Sequence, residues 1–307
     1  MPVQVEEILG KLREHGYEAF AVGGCVRDAI LGRIPGDWDI TTSAHPEEVK
    51  QVFGHTIDTG LQHGTVTVMR DHIGYEITTY RIDGEYEDGR HPKEVVFTAE
   101  LREDLRRRDF TINAMAYSHE TGIVDIFGGA EDLAARRIRC VGDAGERFTE
   151  DALRILRAVR FSAQLGFSIE KKTWQALCEL APSLVHVSKE RVQVELTKTL
   201  LSDRPEFIWK TEAAGLAPYI SKTFPEVFAA WKKRKSCAKQ SLEEKVCSKN
   251  VPAADKDAIK TETVAQQGHM FVKHECETDM AGEISAAAAH LPAEKAWRCS
   301  YFLAPAG

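Results

Sequence analysis

Two segments decide the fold of this chain: Gly23-Gly-Cys-Val-Arg-Asp28 and, further along, Asp37-Trp-Asp-Ile-Thr-Thr42. The adjacent glycines predict a turn that opens onto a short helix, which ends near Gly32. A loop follows, and then a strand that carries Asp37 and Asp39. Because side chains alternate along a strand, the two aspartates would share one face while their apolar neighbours point the other way.

Asp37 and Asp39 form the first candidate site. Two carboxylates that close repel each other unless a cation lies between them. Mg²⁺ prefers hard oxygen ligands and is usually held by one or two carboxylates together with substrate phosphates. Gly23 and Gly24 would let the backbone approach such phosphates at the start of the next helix, where free N–H groups favour anions. The alternative interpretation is a turn with two solvated aspartates.

Composition places the chain among ordinary globular proteins. Its 307 residues allow about two domains, and 43% of them are hydrophobic and 28% charged. The longest apolar runs are too short for a membrane span, and the N-terminus does not resemble a signal peptide. The seven cysteines form no CxxC pair, which fits reduced thiols in a cytoplasmic protein. A net charge of −7 argues against a generally basic surface but leaves local RNA binding open.

Helix and strand signals alternate around these segments. An amphipathic helix is predicted over 5–15, a short apolar strand over 19–22 and a helix over 46–53. Two further strands, 65–69 and 75–80, are joined as a hairpin. This order predicts an α+β head, in which helices back a small mixed sheet.

Glu76 lies on the second strand of that hairpin. An adjacent strand could bring it beside Asp37 and Asp39 as a third carboxylate for the metal. Many other arrangements would leave it exposed, and the sequence leaves both alternatives open.

A basic segment reads Arg106-Arg-Arg-Asp-Phe-Thr-Ile-Asn-Ala-Met-Ala116. Arginines ahead of a predicted helix start form a positive patch that suits phosphate oxygens. The alternative is a basic helix cap with Ile112 and Met115 in the core. That alternative explains the apolar positions but not the three consecutive arginines.

Beyond the predicted sheet the chain becomes helical, and residues 148–161 predict one strong helix with an apolar side. Asp151, Arg154, Arg157 and Arg160 recur every third residue, so they stay on one polar side of that helix. An ordinary solvated face would instead mix Lys and Glu in i,i+4 pairs. The arrangement therefore indicates a binding role.

Hydrogen-bonding groups suggest what this polar side could recognise. Cytosine and adenine each offer an amino donor beside a ring-nitrogen acceptor, whereas uracil and guanine reverse both groups. A carboxylate only accepts and a guanidinium only donates. Asp151 and Arg154 could therefore select CTP and ATP alike, and each mispairing would cost on the order of 1–3 kcal/mol. Arg157 and Arg160 would face the triphosphate or the incoming RNA end.

These separated motifs resemble the tRNA nucleotidyltransferases (CCA-adding enzymes) and the related bacterial poly(A) polymerases, over roughly residues 15–205. The resemblance implies a polymerase-β-like nucleotidyltransferase head followed by an all-α neck and body. The predicted parts are the catalytic head (1–142), the neck with a nucleotide-templating helix (143–186), a partial helical body (187–230) and a divergent C-terminal segment (231–307).

The resemblance also implies roles for individual residues. Asp37 and Asp39 would be the catalytic carboxylates that hold Mg²⁺, with Glu76 as the candidate third ligand. Asp151 and Arg154 would act as a protein template in place of a nucleic-acid one. The full set of implied nucleotide-binding residues is Gly24, Arg27, Arg108, Asp151, Arg154, Arg157 and Arg160.

Two further segments carry the resemblance. Residues 81–94 are polar and rich in glycine and charge, which predicts a mobile loop. The family has a flexible loop here that is associated with switching from C to A addition. The loop of this chain has the full length, which favours addition of all three nucleotides. Residues 190–196 match the family's E-R-x-x-x-E-L stretch, for which we predict a buried Arg191–Glu195 pair that supports the templating helix.

The resemblance ends near residue 218. Residues 231–235 are basic and would either contact RNA phosphates or form a solvated linker. Residues 250–307 have weak hydrophobic periodicity, a composition typical of poor order. His269, His274 and Cys276 lack a fourth ligand at a usual spacing for a metal site.

The function that the resemblance implies is template-independent, Mg²⁺-dependent addition of C, C and A from CTP and ATP to the tRNA 3′ end, with release of pyrophosphate. A membrane partner is not expected. One alternative is a poly(A) polymerase of the same fold, which would add ATP repeatedly to many RNAs. The other is a catalytically weak RNA-binding remnant, an interpretation that the unusual C-terminal third favours.

Overall fold

Seven strands in the N-terminal part of the chain pair into one mixed sheet, and two short strand pairs lie outside it. The computed structural model describes residues 1–83, 95–226 and 229. β-branched residues, which favour the extended backbone, recur in most of these segments. The strands are β1 (Ala19–Val22), β2 (Ile40–Thr42), β3 (Thr56–Gly60), β4 (Thr65–Arg70), β5 (Ile73–Thr79), β6 (Arg81–Asp83), β7 (Val95–Phe97), β8 (Met115–Ser118), β9 (Gly122–Asp125), β10 (Arg137–Ile138) and β11 (Ser168–Ile169).

Helices connect the strands of the sheet and make up most of the described residues after β10. They are α1 (Val3–Glu14), α2 (Gly24–Ile30), α3 (Pro46–Val52), α4 (Leu101–Arg106), α5 (Gly129–Ala134), α6 (Ala144–Glu150), α7 (Leu153–Leu165), α8 (Lys171–Glu179), α9 (Lys189–Leu200), α10 (Trp209–Ala213) and α11 (Ala217–Ile220). Short 3₁₀ turns cover Leu61–His63, Thr111–Asn113, Ala181–His186 and Pro205–Ile208.

The strand order in the sheet is β3-β4-β5-β2-β1-β8-β9. β2 and β5 run parallel, and every other neighbouring pair is antiparallel. The remaining pairs are β6 with β7 and β10 with β11. The prediction of a mixed sheet backed by helices, followed by helices, is confirmed.

Side-chain alternation along β1 supplies apolar residues to two separate core clusters. Ala19 packs with the buried face of α1 and with residues of α3, β4 and β5. Phe20 and Val22 join Leu105 of α4 and Tyr80 in a second cluster. The amphipathic pattern predicted for α1 is realised, because its four apolar positions are fully buried at Val5, Ile8, Leu9 and Leu12.

The sequence predicted that Asp37 and Asp39 lie within a strand. In the structure they lie directly before β2, which begins at Ile40. β1 ends at Val22 because the chain turns at Gly23, whose φ of +83° favours glycine. The last hydrogen bond of this ladder runs from the Val22 N–H to the Asp39 carbonyl, at 2.9 Å. Asp37 therefore has no partner strand to extend the pairing.

The three arginines of the basic segment do not precede a helix but end one, since Arg106 is the last residue of α4 and Arg107 and Arg108 follow it directly. The acidic residues Glu103 and Asp104 lie in its first turn and Arg106 in its last. This charge order suits the helix dipole, which favours anions at the start and cations at the end. Ile112 and Met115 are fully buried, as the alternative interpretation expected.

The single helix predicted over 148–161 is broken in the structure between α6 and α7. Asp151 has an extended backbone, with φ −144° and ψ 102°. Its Oδ1 accepts a hydrogen bond from the Leu153 N–H at 3.1 Å. Aspartate side chains commonly bond to nearby backbone N–H groups in this way and interrupt a helix. Asp151 therefore does not share one helical face with the three arginines that follow.

The chain divides into two units, Met1–Leu216 and Ala217–Gly307, and the first contains the whole sheet. The predicted boundaries at 142 and 186 fall inside the first unit and stay predictions. The predicted loop over 81–94 begins with β6, and its residues 84–94 lie outside the described part. The same holds for the basic run 231–235 and for the candidate ligands His269, His274 and Cys276.

Membrane insertion of a helix has no support in the described residues. None of the helices there combines the length and the apolar character that crossing a bilayer requires.

Gly129, the first residue of α5, tests how closely that helix packs against the segment before β8. A Cβ atom at this position would lie 2.3 Å from the Thr111 carbonyl oxygen and 2.9 Å from Met115 Cγ. We expect Gly129→Ala to lower the free energy of unfolding by about 1–3 kcal/mol or more, because backbone must move to accommodate the methyl group.

Gly10 provides the matched control, since a Cβ atom there would meet nothing within 4 Å. Gly10→Ala should stabilise α1 by roughly 0.5–1 kcal/mol through helix propensity. Urea unfolding of both variants checks the pair. Equal effects of the two substitutions would contradict the packing of α5.

Candidate active site

Asp37 and Asp39 present exposed carboxylates on either side of Trp38, which is partly buried against the core. The alternation expected of a strand is therefore kept, although the segment precedes β2. The hydrogen bond from Val22 to the Asp39 carbonyl anchors this segment beside the glycine turn. Both acidic side chains are left open to solvent and available to a ligand.

The charges around Asp39 are incompletely compensated. Desolvation by the surrounding protein raises the pKa of Asp39, and the negative charge of Asp37 raises it further. The positive charge of Arg108 lowers it in part, while Glu76 adds a smaller increase. A cation at this position would relieve the repulsion, so the donor chemistry fits a divalent metal.

Glu76 lies near this pair. β2 and β5 are parallel, and Ile40 lies opposite Ile77. Asp39 and Glu76 each come one residue before this pair, so they lie beside each other. The Glu76 side chain is exposed. In the described part of the chain, however, no three His, Cys, Asp or Glu side chains are grouped so that they could hold a metal ion. A third-ligand role for Glu76 stays a prediction.

The glycine turn packs directly against Arg108. A Cβ atom on Gly23 would lie 3.0 Å from Arg108 Nη1, and one on Gly24 would lie 3.6 Å from Arg27 Nη2. A side chain on Gly23 would push against the Arg108 guanidinium, whereas the distance at Gly24 is an ordinary van der Waals contact with the Arg27 guanidinium. Gly23 therefore lets the Arg108 guanidinium approach the backbone of the turn.

Arg27 is buried and engaged by protein. Its Nε and Nη2 donate to the two Asp28 oxygens, each at 2.9 Å, and its Nη1 donates to Asn113 Oδ1 at 2.6 Å. Asn113 in turn donates to Asp109 at 3.1 Å. Sequence reasoning missed Asn113, and its only signal was its place in the segment 106–116.

Asp151 and Arg154 lie within one turn of chain of each other but are held by different partners. Asp151 Oδ2 accepts from Arg191 Nη2 at 2.8 Å. Arg154 donates to Glu150 Oε2 at 2.6 Å and to the Arg107 carbonyl at 2.9 Å. Glu150 was not predicted, although its position four residues before Arg154 is a recognisable i,i+4 signal.

The other two arginines of α7 also pair with acidic side chains. Arg157 Nε donates to Asp109 Oδ2 at 2.7 Å, and Arg160 Nε donates to Glu195 Oε2 at 2.5 Å. Arg160 stacks over the Phe161 ring, 4.0 Å from its centroid. In this structure both guanidinium groups join α7 to neighbouring elements. Their predicted contact with the triphosphate or RNA remains untested.

The predicted Arg191–Glu195 pair is wrong. Arg191 pairs with Asp151, and Glu195 pairs with Arg160 of α7. Residues four apart on α9 lie on the same face, so both can reach across to the segment 151–160 separately. α9 still supports that segment, but by two ion pairs between elements instead of one within a helix.

Chain comparisons define the class of protein to which this site belongs. Residues 19–139 match the family model described as "Poly A polymerase head domain", and residues 166–222 match "Probable RNA and SrmB- binding site of polymerase A". The two matches lie one after the other along the chain, in the part that the sequence predicts to be head, neck and body. The chain belongs to the family of tRNA nucleotidyltransferases and poly(A) polymerases. Enzymes of this family generally use a divalent metal.

Curated and solved relatives agree with this assignment. A CCA-adding enzyme of Leuconostoc mesenteroides is 54% identical over 202 residues, which are 66% of this chain and 50% of that protein. The structure of the Bacillus stearothermophilus CCA-adding enzyme in complex with CTP matches with a TM-score of 0.67 and 44% identity, over 72% of this chain and 54% of that one.

A third relative is a tRNA nucleotidyltransferase complexed with a primer tRNA and an incoming ATP analog. It matches with a TM-score of 0.60 and 28% identity, over 77% of this chain and 70% of that one. The chain spans about half the length of the curated relatives it matches.

The Asp109–Arg157 pair predicts a specific pH dependence of stability. Burial alone would raise the pKa of Asp109, but the Arg157 charge and the Asn113 hydrogen bond outweigh it and lower the pKa to about 2. Because the folded value lies below the unfolded value of about 4, the contribution to stability is complete above about pH 5 and is lost as the pH falls toward 2.

We therefore expect Asp109→Asn to lower the free energy of unfolding at pH 7 by on the order of 2 kcal/mol. The difference from wild type should shrink when urea unfolding is repeated at successively lower pH. Asp58→Asn, at an exposed aspartate on β3, should show little change at any pH. A difference for Asp109→Asn that stays constant with pH would contradict the assignment.

Proposed function

We propose that this chain adds C, C and A from CTP and ATP to the 3′ end of tRNA by Mg²⁺-dependent nucleotidyl transfer. The observation that carries the proposal is the exposed Asp37 and Asp39 pair beside the glycine turn and Arg108, in the same unit as Asp151 and Arg154. The relatives named above as CCA-adding enzymes, one of them bound to CTP, support the same reaction.

Asp37 and Asp39 would hold Mg²⁺. When bound, the metal would activate the 3′-hydroxyl of the RNA and neutralise the triphosphate and the departing pyrophosphate. Gly24 leaves space at the turn, and Arg27 and Arg108 supply positive charge for the triphosphate. Fixed cations of this kind stabilise the charge that develops during phosphoryl transfer without reorganisation at the moment of reaction.

Asp151 and Arg154 would select the base by accepting from its amino group and donating to its ring nitrogen. The protein contacts of Arg154 with Glu150 and the Arg107 carbonyl fix its direction before a nucleotide arrives. We assign Arg157 and Arg160 to holding α7 in place through Asp109 and Glu195. Within Met1–Leu216 we retain the head (1–142) and neck (143–186) as the proposed working parts.

The cellular setting that we propose is the cytoplasm, where tRNA and both nucleotides occur. The cysteines that the structure describes, Cys25, Cys140 and Cys178, are free thiols, which fits that compartment.

Stepwise incorporation tests the function. The full chain is incubated with Mg²⁺ and with tRNA trimmed of its CCA end. Labelled CTP, labelled ATP or both are then added. We expect two C additions and then a single A when both are present. Runs of A would favour the poly(A) polymerase of the same fold, and no incorporation by folded protein would favour the remnant.

Asp39→Ala is the matching catalytic variant and should abolish incorporation, because one of the two metal carboxylates is removed. Asp58→Ala, an exposed aspartate of the same sheet paired with Lys50, should retain it. Nucleotide addition by Asp39→Ala at the wild-type rate would contradict the metal assignment.

A further inference from the structure

Asp104 of α4 is a fully buried carboxylate with partners on both oxygens. Its side chain is 0% exposed. Oδ1 accepts from Arg107 Nε at 2.9 Å and from Arg107 Nη2 at 2.7 Å. Oδ2 accepts from the Thr41 hydroxyl at 3.1 Å and from Arg108 Nη2 at 3.3 Å. Burial would raise the pKa of Asp104, but the two arginine charges hold it below its ordinary value, so the group is ionised.

Two of these contacts lie at the phosphate end of the proposed site. Thr41 is on β2, two residues after Asp39, so Asp104 ties α4 to the strand that follows the metal carboxylates. Arg108 extends from Asp104 to the glycine turn, where its Nη1 lies 3.0 Å from the position of a Gly23 Cβ. Arg108 Nη2 donates to Asp104 and forms an ion pair with it, while the buried Nε of Arg108 has no hydrogen-bond partner.

The other two contacts lead to the base-selecting end. Arg107 donates twice to Asp104, and its backbone carbonyl accepts from Arg154 Nη2 at 2.9 Å. Arg147 donates to the neighbouring Arg106 carbonyl at 3.0 Å and also pairs with Glu150, which holds Arg154. The end of α4 therefore contacts the group proposed to donate to the base.

We propose that Asp104 is a positioning residue that sets the two ends of the nucleotide site relative to each other. It directs Arg108 to the triphosphate and fixes the Arg107 carbonyl that orients Arg154. This inference rests on the proposed function. Holding charged groups within a small tolerance of their working geometry is what makes a binding site preorganised, and a single buried acid does so here for both ends.

A purely structural role is the competing explanation, since removing one partner of a buried ion pair is destabilising in itself. Asp132 provides a matched control. It is also 0% exposed, and it accepts from Thr111, from Arg137 Nε at 2.5 Å and from Arg139 Nε at 2.8 Å. Its partners do not include the segment 106–108 or Arg154.

The test compares Asp104→Asn with Asp132→Asn in the full chain, by equilibrium binding of CTP and UTP in Mg²⁺ and by urea unfolding. The asparagine amide has one acceptor oxygen and one NH2 donor, so Arg107 and Arg108 can no longer both be held by an acceptor. We expect both variants to lose stability. Only Asp104→Asn should bind CTP about tenfold to a hundredfold more weakly, and it should also discriminate less between CTP and UTP.

A double-variant cycle identifies the path of the effect. If Asp104 acts on phosphate binding through Arg108, then Asp104→Asn combined with Arg108→Ala should lose less CTP affinity than the two single variants lose in sum. Discrimination between CTP and UTP should fall in the two variants that carry Asp104→Asn, but not in Arg108→Ala alone. If Asp104→Asn does not fold, Thr41→Val should show a smaller loss of CTP affinity in the same direction.

Several results would overturn the inference: equal loss of CTP affinity in the Asp104 and Asp132 variants, additive effects of the Asp104 and Arg108 changes, or wild-type CTP affinity in Thr41→Val. Wild-type protein that binds no CTP would instead defeat the proposed function, and this inference with it. If only Asp104→Asn loses CTP affinity and the wild type incorporates nucleotides, both the inference on Asp104 and the proposed function are supported.

Discussion

A buried carboxylate has to be matched by a positive charge, and Asp109 meets this constraint through Arg157 of α7. Asp109 lies three residues after the end of α4, so the pair joins the sheet-containing part of the chain to the helix that carries Arg154. Loss of Arg157 would leave the buried Asp109 charge without its ion-pair partner, which is destabilising. Asn113 extends the contact to Arg27, next to the glycine turn. This hydrogen-bonded chain links the phosphate end of the proposed site to α7, beside the separate link that Asp104 makes.

This arrangement has a consequence for nucleotide binding. Arg27 and Arg154 already bond to protein groups before any ligand is present. Their directions are therefore set by the fold, and a nucleotide that matches them does not have to order them. The same fixed directions would penalise a base whose donors and acceptors are reversed, because a rigid guanidinium cannot become an acceptor.

Features encoded in local sequence could be predicted, and features that depend on distant partners could not. The apolar period of α1 and the alternation in β4 and β5 are local, and the structure has these elements at the expected places. The start of β2 was misplaced because it depends on where β1 turns at Gly23. The break at Asp151 depends on one side chain bonding to the Leu153 N–H instead of continuing the helix.

The partners of charged residues show the same limit. The glutamate and arginine of the α9 motif were recognisable in the sequence, but their pairing was not, since each finds its partner on another element. Asp104 gave only a weak signal in the sequence, because it lies three and four residues before Arg107 and Arg108. Charged residues at this spacing usually form a pair on the surface of a helix. Its complete burial could come only from the packing of α4 against the sheet.

Base selection without a nucleic-acid template is the central claim of this account. The most direct measurement is equilibrium binding of CTP, ATP, UTP and GTP, each alone, to the wild-type chain in Mg²⁺ without RNA. We expect CTP and ATP to bind with similar affinity and UTP and GTP to bind about tenfold to a hundredfold more weakly. Equal affinity for all four nucleotides would contradict it.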